Sequence, residues 1–213
     1  MFGMQAEAGA FPTSIIPTSG AAATRAADTL VCPTRGWFNP SEGTVVASNL
    51  LCPGSVEMRL WRFDDGSNTN RFIGQRLTTN HIGGFGTGVA GSYTYSIAGM
   101  APVVGPGSVY NSAHSYSNRG SYVARNGAGA STFGNGTPAL TPINKLAFWD
   151  TPATHHLRYF DYYPVALDPQ TLRRLTSATE HPSPRRINPD FSLHFLDGEL
   201  DSRVTFTRAS GGT

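Results

Sequence analysis

The stretch YVARNG, residues Tyr122 to Gly127, carries the most specific local signal in the sequence. An Asn-Gly pair between β-type runs favours a type I′ hairpin, because both central residues of that turn need a positive φ. Leu157 to Tyr163 is a second β-type run, rich in aromatic residues. Together these segments predict an antiparallel, all-β chain.

Other short β-type runs lie on either side and are bounded by Gly, Pro, Asn or Asp. About eight to ten strands with turns every 8–12 residues are typical of a β-sandwich. The further predicted strands are Gly43 to Leu51, Val56 to Phe63, Arg71 to Leu77, Ser92 to Ala98, Ser108 to Tyr116, Ile143 to Trp149, Phe191 to Leu196 and Arg203 to Thr207.

One helix is predicted, beginning at the sequence DPQTLRRL. Asp168 suits the N-cap position, and Pro169 suits the first helical position, where a missing N–H costs nothing. Leu172 and Leu175 are three residues apart, so they lie on one side of the helix. The sequence therefore predicts a short amphipathic helix after the last aromatic strand.

The composition excludes several classes of protein. Twenty-four Gly and 15 Pro among 213 residues are too many for a helical bundle, while 11% aromatic residues are enough for a packed core. No apolar run approaches the roughly 18 residues of a membrane-spanning helix, and Glu7 interrupts any leader-like stretch at the amino end. The net charge of +2 is scattered, without the basic stripe of a nucleic-acid-binding protein.

Three zones differ in composition. Residues 1–24, with Pro12 and Pro17, predict an extended arm. Residues 25–176 contain most of the strand signals, and 177–213 combine a Pro-rich linker with two further strands. Those last strands complete either the sandwich of their own chain or the sheet of a neighbouring subunit.

Several of these segments together resemble a known module. AADT at Ala26 to Thr29 and GWFNPSEGT at Gly36 to Thr44 are similar to the opening of the concanavalin A-like (laminin-G-like) module of phage tail and fibre proteins. Tyr122 to Gly127 resembles the central hairpin of that family. LRYFDYYP at Leu157 to Pro164, followed by Leu172 to Thr176, resembles its closing strand and helix.

The resemblance covers about residues 25–176, and the flanks at 5–18 and 196–210 also look like parts of phage tail proteins. It implies an antiparallel jelly-roll sandwich of the concanavalin A-like type, within a virion protein of a tail fibre, tail tip or head fibre. The implied partners are other virion proteins, further copies of the chain and host-surface polysaccharide, without nucleic acid or membrane insertion.

A glycan site needs an aromatic ring beneath the sugar's C–H face and planar polar groups for its hydroxyls. Trp61 is expected to point outward, because it alternates with Met58 and Leu60 along one strand. Trp37 is expected in the core. The predicted glycan-binding residues are Trp61, Arg62, Asn68, Asn70, Trp149 and Tyr162.

Metal ligands are sparse. Asp64 to Asn68 offers oxygen atoms of the kind that calcium takes, but it lacks the EF-hand pattern and is expected to be a plain turn. His155 and His156 are adjacent on a strand, so they point to opposite faces and cannot chelate one ion. Cys32 and Cys52 match no metal spacing. No cofactor is therefore expected, with calcium the one ion left open.

Catalytic patterns are also missing from the sequence. No strand carries the closely spaced acids of glucanases with this fold, Asp161 stands alone between aromatic residues, and there is no nucleophile elbow. The expected function is non-enzymatic contact with host-surface glycan. Two alternatives stay open, a structural decoration or adaptor protein held by its arms, and a glycan-cleaving enzyme.

Overall fold

The computed structural model describes residues 29–51, 58–76, 82–89, 92–97, 108–133, 140, 143–148, 155–177, 191–194 and 205–207. The predicted amino-terminal arm, residues 1–24, lies outside them. The strands are β1 (Thr29–Pro33), β2 (Gly43–Leu51), β3 (Met58–Asp64), β4 (Arg71–Arg76), β5 (Ile82–Val89), β6 (Ser92–Ile97), β7 (Val109–Ser117), β8 (Gly120–Arg125), β9 (Ala128–Phe133), β10 (Lys145–Phe148), β11 (His155–Tyr163), β12 (Phe191–His194) and β13 (Thr205–Thr207). The helix, α1, is Pro169–Ser177.

These strands form two antiparallel sheets. The first sheet has the order β13-β1-β10-β3-β4-β5-β6, and the second has the order β12-β11-β2-β7-β8-β9. Strands distant in sequence are neighbours in both sheets, as in a jelly roll. The predicted antiparallel sandwich with one short helix is confirmed.

Both carboxyl-terminal strands pair within their own chain. β12 lies beside β11, with Tyr159 opposite His194, and β13 lies beside β1, with Leu30 opposite Phe206. The sandwich therefore includes strands beyond residue 176, where the sequence placed its boundary. The composition of a linker does not reveal which sheet edge the chain will rejoin.

An aromatic core fills the space between the sheets. Trp61 meets Phe72 edge-on at 4.9 Å between ring centroids, and Phe148 meets Phe160 in the same way at 5.2 Å. Trp37 is buried as expected and packs edge-on against Tyr162 at 5.2 Å. Such ring pairs add about 0.5–1.5 kcal/mol each beyond the burial of their surface.

The orientation predicted for Trp61 is wrong, since only 1% of this residue is exposed. The pairing register between β3 and β4 shifts between Arg59 and Trp61. Such a bulge inserts one extra residue, so the alternation of faces is broken and both Leu60 and Trp61 lie in the core. Gly74 stands opposite Trp61 and leaves room for its indole ring.

The Asn-Gly turn forms as predicted between β8 and β9. Asn126 has a φ of 40° and Gly127 a φ of 75°, the two positive values that a type I′ turn requires. The Oδ1 atom of Asn126 accepts a hydrogen bond of 2.8 Å from the backbone N–H of Asn111. The sequence missed β1, β5 and β9, because their proline or glycine residues weaken the strand signal.

Helix α1 begins as predicted and covers the outer face of the second sheet. Asp168 Oδ1 accepts hydrogen bonds from the backbone N–H groups of Gln170 and Thr171, at 2.9 and 3.0 Å. Leu172 and Leu175 are buried in a cluster with residues of β2, β7, β8 and β11. In the part of the chain that the structure describes, no helix has the length and apolarity needed to cross a membrane.

Gly74→Ala is expected to lower the free energy of unfolding by about 1–3 kcal/mol, the usual cost of overpacking a core. The added Cβ would lie 2.5 Å from Cε2 of Trp61, so the indole or the strand must shift. The matched control is Gln75→Ala, on the opposite face of the same strand, with an expected change within about 0.5 kcal/mol. Urea unfolding measures both, and equal effects would contradict the close packing of Trp61.

Candidate functional site

The structure separates the residues predicted to bind glycan. Trp61 and Tyr162 are 1% and 0% exposed, so neither ring is accessible to a sugar, and their predicted surface role is wrong. The bulge in β3 buries Trp61, and Tyr162 lies on the inner face of β11 opposite Val45. Trp149 lies outside the described residues.

Arg62, Asn68 and Asn70 do come together around the β3–β4 turn. Arg62 Nε lies 2.6 Å from Asp64 Oδ2, and its Nη2 donates to the carbonyl of Ser67 at 2.6 Å. Asn68 is exposed. Arg62 thus holds the turn closed, and a ligand-binding role for these three residues stays a prediction.

Asp65, the second acidic residue of this turn, accepts hydrogen bonds from neighbouring residues. Asn70 Nδ2 donates to Asp65 Oδ2 at 2.6 Å, and both the hydroxyl and the backbone N–H of Ser67 donate to Oδ1. These hydrogen bonds, that of Asn70 above all, lower the pKa of Asp65 to about 2. Within the described ranges, no group of three or more His, Cys, Asp or Glu is placed to hold a metal ion. The sequence predicts a plain turn here and leaves calcium open, and no observation tests a bound ion.

A cleft of about 720 Å³ opens at one end of the second sheet. Three segments form it: the end of the loop before β2, the β7–β8 turn with the start of β8, and the chain entering α1. The described residues that line it are Ser41, Glu42, Ser117, Asn118, Arg119, Tyr122, Ala166, Leu167, Asp168 and Pro169.

Tyr122 supplies the aromatic surface of this cleft. It is half-buried and packs, like Leu167, against the apolar cluster beneath α1. Its neighbours on β8, Ser121 and Val123, belong to the inner face, so the alternation of the strand directs Tyr122 to the outer face. A ring seated in this way offers a fixed apolar platform next to solvent.

The polar side chains of the cleft differ in how many hydrogen bonds they already make within the protein. Glu42 Oε2 accepts a hydrogen bond of 3.4 Å from the backbone N–H of Ala166. Both carboxylate oxygens of Asp168 accept hydrogen bonds, including one from the Thr171 hydroxyl at 2.7 Å. Arg119 is exposed on the β7–β8 turn. The guanidinium therefore has the most remaining capacity to bind a ligand.

A pair of tyrosine hydroxyls fixes the loop that carries one wall. Tyr116 and Tyr162 lie 2.9 Å apart through their hydroxyl oxygens, and Tyr116 donates to the carbonyl of Asn39 at 2.6 Å. The backbone N–H of Asn39 donates to the Tyr162 oxygen at 2.9 Å. A Cβ on Gly43 would lie 2.6 Å from the Tyr116 oxygen, so only glycine fits there.

Thr44 connects this loop to the segment before α1. Its hydroxyl donates to the carbonyl of Val165 at 2.8 Å and accepts from the backbone N–H of Leu167 at 2.9 Å. Asn39 Nδ2 also donates to the carbonyl of Pro164, at 2.9 Å. Two walls of the cleft are thus held at a fixed distance by partly buried hydrogen bonds.

Asp168 does not have the electrostatic surroundings of a glycosidase acid. Glu42 and Asp168 both line the cleft, but a glycosidase needs one carboxylic acid with a raised pKa. Hydrogen bonds from the side chain and then the backbone of Thr171 lower the pKa of Asp168 instead. An aromatic face beside amide, guanidinium and carboxylate groups is the chemistry that holds a polyhydroxylated ligand.

Sequence reasoning missed this site. The sequence predicts a strand and a hairpin at Tyr122, and it gives no functional signal for Asn118 and Arg119 in the β7–β8 turn. Turn residues next to an outward aromatic residue were the available signal. That signal was weak, because segments 41–42, 117–122 and 166–169 meet only through the pairing of β2 with β7 and β11.

Comparison with solved structures confirms the predicted fold, an antiparallel jelly roll of the concanavalin A-like type. The heptameric SAP-like pentraxin of Limulus polyphemus is similar with a TM-score of 0.57 and 13% identity, over 85% of this chain and 89% of that one. The CBM40 module of the Ruminococcus gnavus IT-sialidase, bound to α2,3 sialyllactose, gives 0.53 and 13% over 74% and 97%. The leech intramolecular trans-sialidase gives 0.52 and 14%, over 74% of this chain but 27% of that one. Neither a protein-family model nor a curated protein sequence matches the chain.

The free energy of unfolding is expected to fall steeply above about pH 10, where tyrosines in the unfolded chain ionise. Burial raises the pKa of Tyr110, Tyr116 and Tyr163 and raises that of Tyr159 to about 12. The folded state therefore keeps protons that the unfolded state releases, so stability present below pH 10 is lost as the pH rises.

Urea unfolding between about pH 8 and pH 11 tests this, with up to about 1.4 kcal/mol lost per pH unit for each such tyrosine. Tyr159→Phe removes one ionisable group and is expected to make the slope less steep. A flat profile to about pH 11 would show that these hydroxyls are solvated rather than buried.

Proposed function

We propose that the protein is a non-enzymatic glycan-binding module whose ligand site is the cleft around Tyr122. The observation that carries the proposal is a half-buried tyrosine ring beside Asn118, Arg119 and Glu42 in one open cleft. The volume of about 720 Å³ falls within the range of known ligand pockets. The lectin-type fold is consistent with this use but does not establish it, because one fold serves many functions.

The proposed ligand is a glycan that carries a carboxylate. Glu42 already accepts a hydrogen bond from a backbone N–H, and Asp168 accepts one from the Thr171 hydroxyl. Arg119, by contrast, makes no ion pair within the described residues. A guanidinium fork pairs well with the two oxygens of a carboxylate. The Ruminococcus gnavus module, which has the same fold, binds α2,3 sialyllactose, a glycan of this kind.

The proposed setting is the surface of a phage particle, in a tail fibre, tail tip or head fibre. The resemblance of residues 26–44 and 157–176 to tail and fibre modules supports this setting. Other virion proteins and further copies of the chain are the proposed partners, with host-surface polysaccharide as the ligand. Weak sites repeated by symmetry would then attach the particle through avidity.

Tyr122→Ala is expected to weaken glycan binding at least tenfold, since stacking and the apolar platform are lost together. Arg119→Ala is expected to remove the preference for 3′-sialyllactose over lactose while leaving weak binding of both. Arg35→Ala removes an exposed arginine outside the cleft and serves as the matched control. Titration calorimetry with the two sugars, after a glycan array, measures these effects.

Three outcomes would contradict the proposal. Release of reducing ends from host polysaccharide would indicate a glycan-cleaving enzyme. Stable association with virion proteins without affinity for any arrayed glycan would indicate a structural decoration or adaptor protein. Glycan binding that is unchanged in Tyr122→Ala would locate the site elsewhere, for example at the turn that holds Asn68 and Asn70.

A further inference from the structure

The Asn126–Gly127 turn is a reactive dipeptide packed against the end of α1. Asn126 is exposed, whereas the backbone N–H of Gly127 donates to the Thr176 hydroxyl at 3.2 Å. A Cβ built on Gly127 would lie 2.9 Å from Cβ of Ser177, so the turn and the helix end are in direct contact. The type I′ turn accounts for the positive φ values of the Asn-Gly pair, but the hydrogen bond from Gly127 to a buried hydroxyl of α1 is a further feature of this turn.

The chemistry of this dipeptide is intramolecular. The Gly127 nitrogen, after loss of its proton to a base, attacks Cγ of Asn126 and forms a carbon–nitrogen bond. Ammonia leaves, and a five-membered succinimide remains. Water then opens either carbonyl–nitrogen bond, which yields aspartate or isoaspartate and returns the proton to nitrogen. Glycine favours the attack because it has no side chain to hinder it.

The folded structure holds both reacting groups away from this reaction. Thr176 is fully buried, and its hydroxyl, which accepts from Gly127, donates to the carbonyl of Leu172 at 3.0 Å. The N–H of Gly127 therefore donates to an acceptor whose position is fixed, and this hydrogen bond must break before a base can remove the proton. The carboxamide of Asn126 is anchored through Oδ1 to the backbone of Asn111 at 2.8 Å, so its rotation toward Gly127 is restrained.

We propose that Asn126 is a latent deamidation site that the docking of the last turn of α1 keeps closed. When the last turn of α1 detaches from the hairpin, the N–H of Gly127 loses the Thr176 hydroxyl as its acceptor and the succinimide forms. Isoaspartate adds a methylene to the backbone of a two-residue turn, and the type I′ geometry has no room for it. The bonds from Asn126 to Asn111 and from Gly127 to Thr176 are then lost, so opening becomes irreversible.

Peptide mass spectrometry of the full chain, aged at mildly alkaline pH, tests the proposal by following the replacement of –NH₂ by –OH at Asn126. Thr176→Val removes the acceptor and is expected to speed deamidation roughly two- to tenfold, the factor that one neutral hydrogen bond is worth. Thr176→Ser keeps the hydroxyl and is expected to react at the wild-type rate. Asn135–Gly136, the other Asn-Gly pair of the sequence, is an internal reference for chemical conditions.

Wild-type protein in urea provides the second measurement, which does not depend on the folding of any variant. Unfolding is expected to accelerate the reaction at Asn126 well beyond the effect of Thr176→Val, because both restraints are released. Equal rates at Asn126 in folded and unfolded wild-type protein would overturn the proposal. Equal rates in Thr176→Val and Thr176→Ser, with hydrogen exchange showing β2 and β7 still folded in both, would also overturn it.

Discussion

The contact between the hydroxyls of Tyr116 and Tyr162, 2.9 Å apart at the end of the aromatic core, connects the core of this protein to its candidate site. Both rings belong to the packed space between the sheets, and both hydroxyls bond to the backbone of Asn39. Buried hydroxyls must find such partners, because an unpaired one costs about 1–3 kcal/mol. That requirement fixes the loop that leads into β2.

Because this loop is fixed, the cleft beside it can be preorganised. Glu42 follows Asn39 by three residues, and Thr44 then bonds to the segment that enters α1. Tyr122 is positioned by a third element, the hairpin formed by β7 and β8. Binding sites in such folds usually lie on surface loops, because the rigid sandwich holds the ends of the loops in fixed positions.

Most of the architecture could be predicted from local patterns. The bounds of β2, the type I′ turn at Asn126 and the cap at Asp168 depend on residues close in sequence, and all three form as expected. The candidate site could not be predicted in this way. Trp61 illustrates the reason, because a single bulge reverses the face of every residue that follows it in the strand.

Local sequence patterns are enough to predict an antiparallel sandwich with a packed core and one short helix, because turn residues, strand propensity and helix capping act over a few neighbouring residues. The burial of Trp61 and Tyr162, and the meeting of the three segments at the cleft, depend on the tertiary structure. It placed Tyr162 in the core and Tyr122 at the cleft, although both lie in β-type runs. Register and strand order decide on which face each ring lies. Local patterns cannot predict them, because they depend on hydrogen bonds between segments that are far apart in the chain.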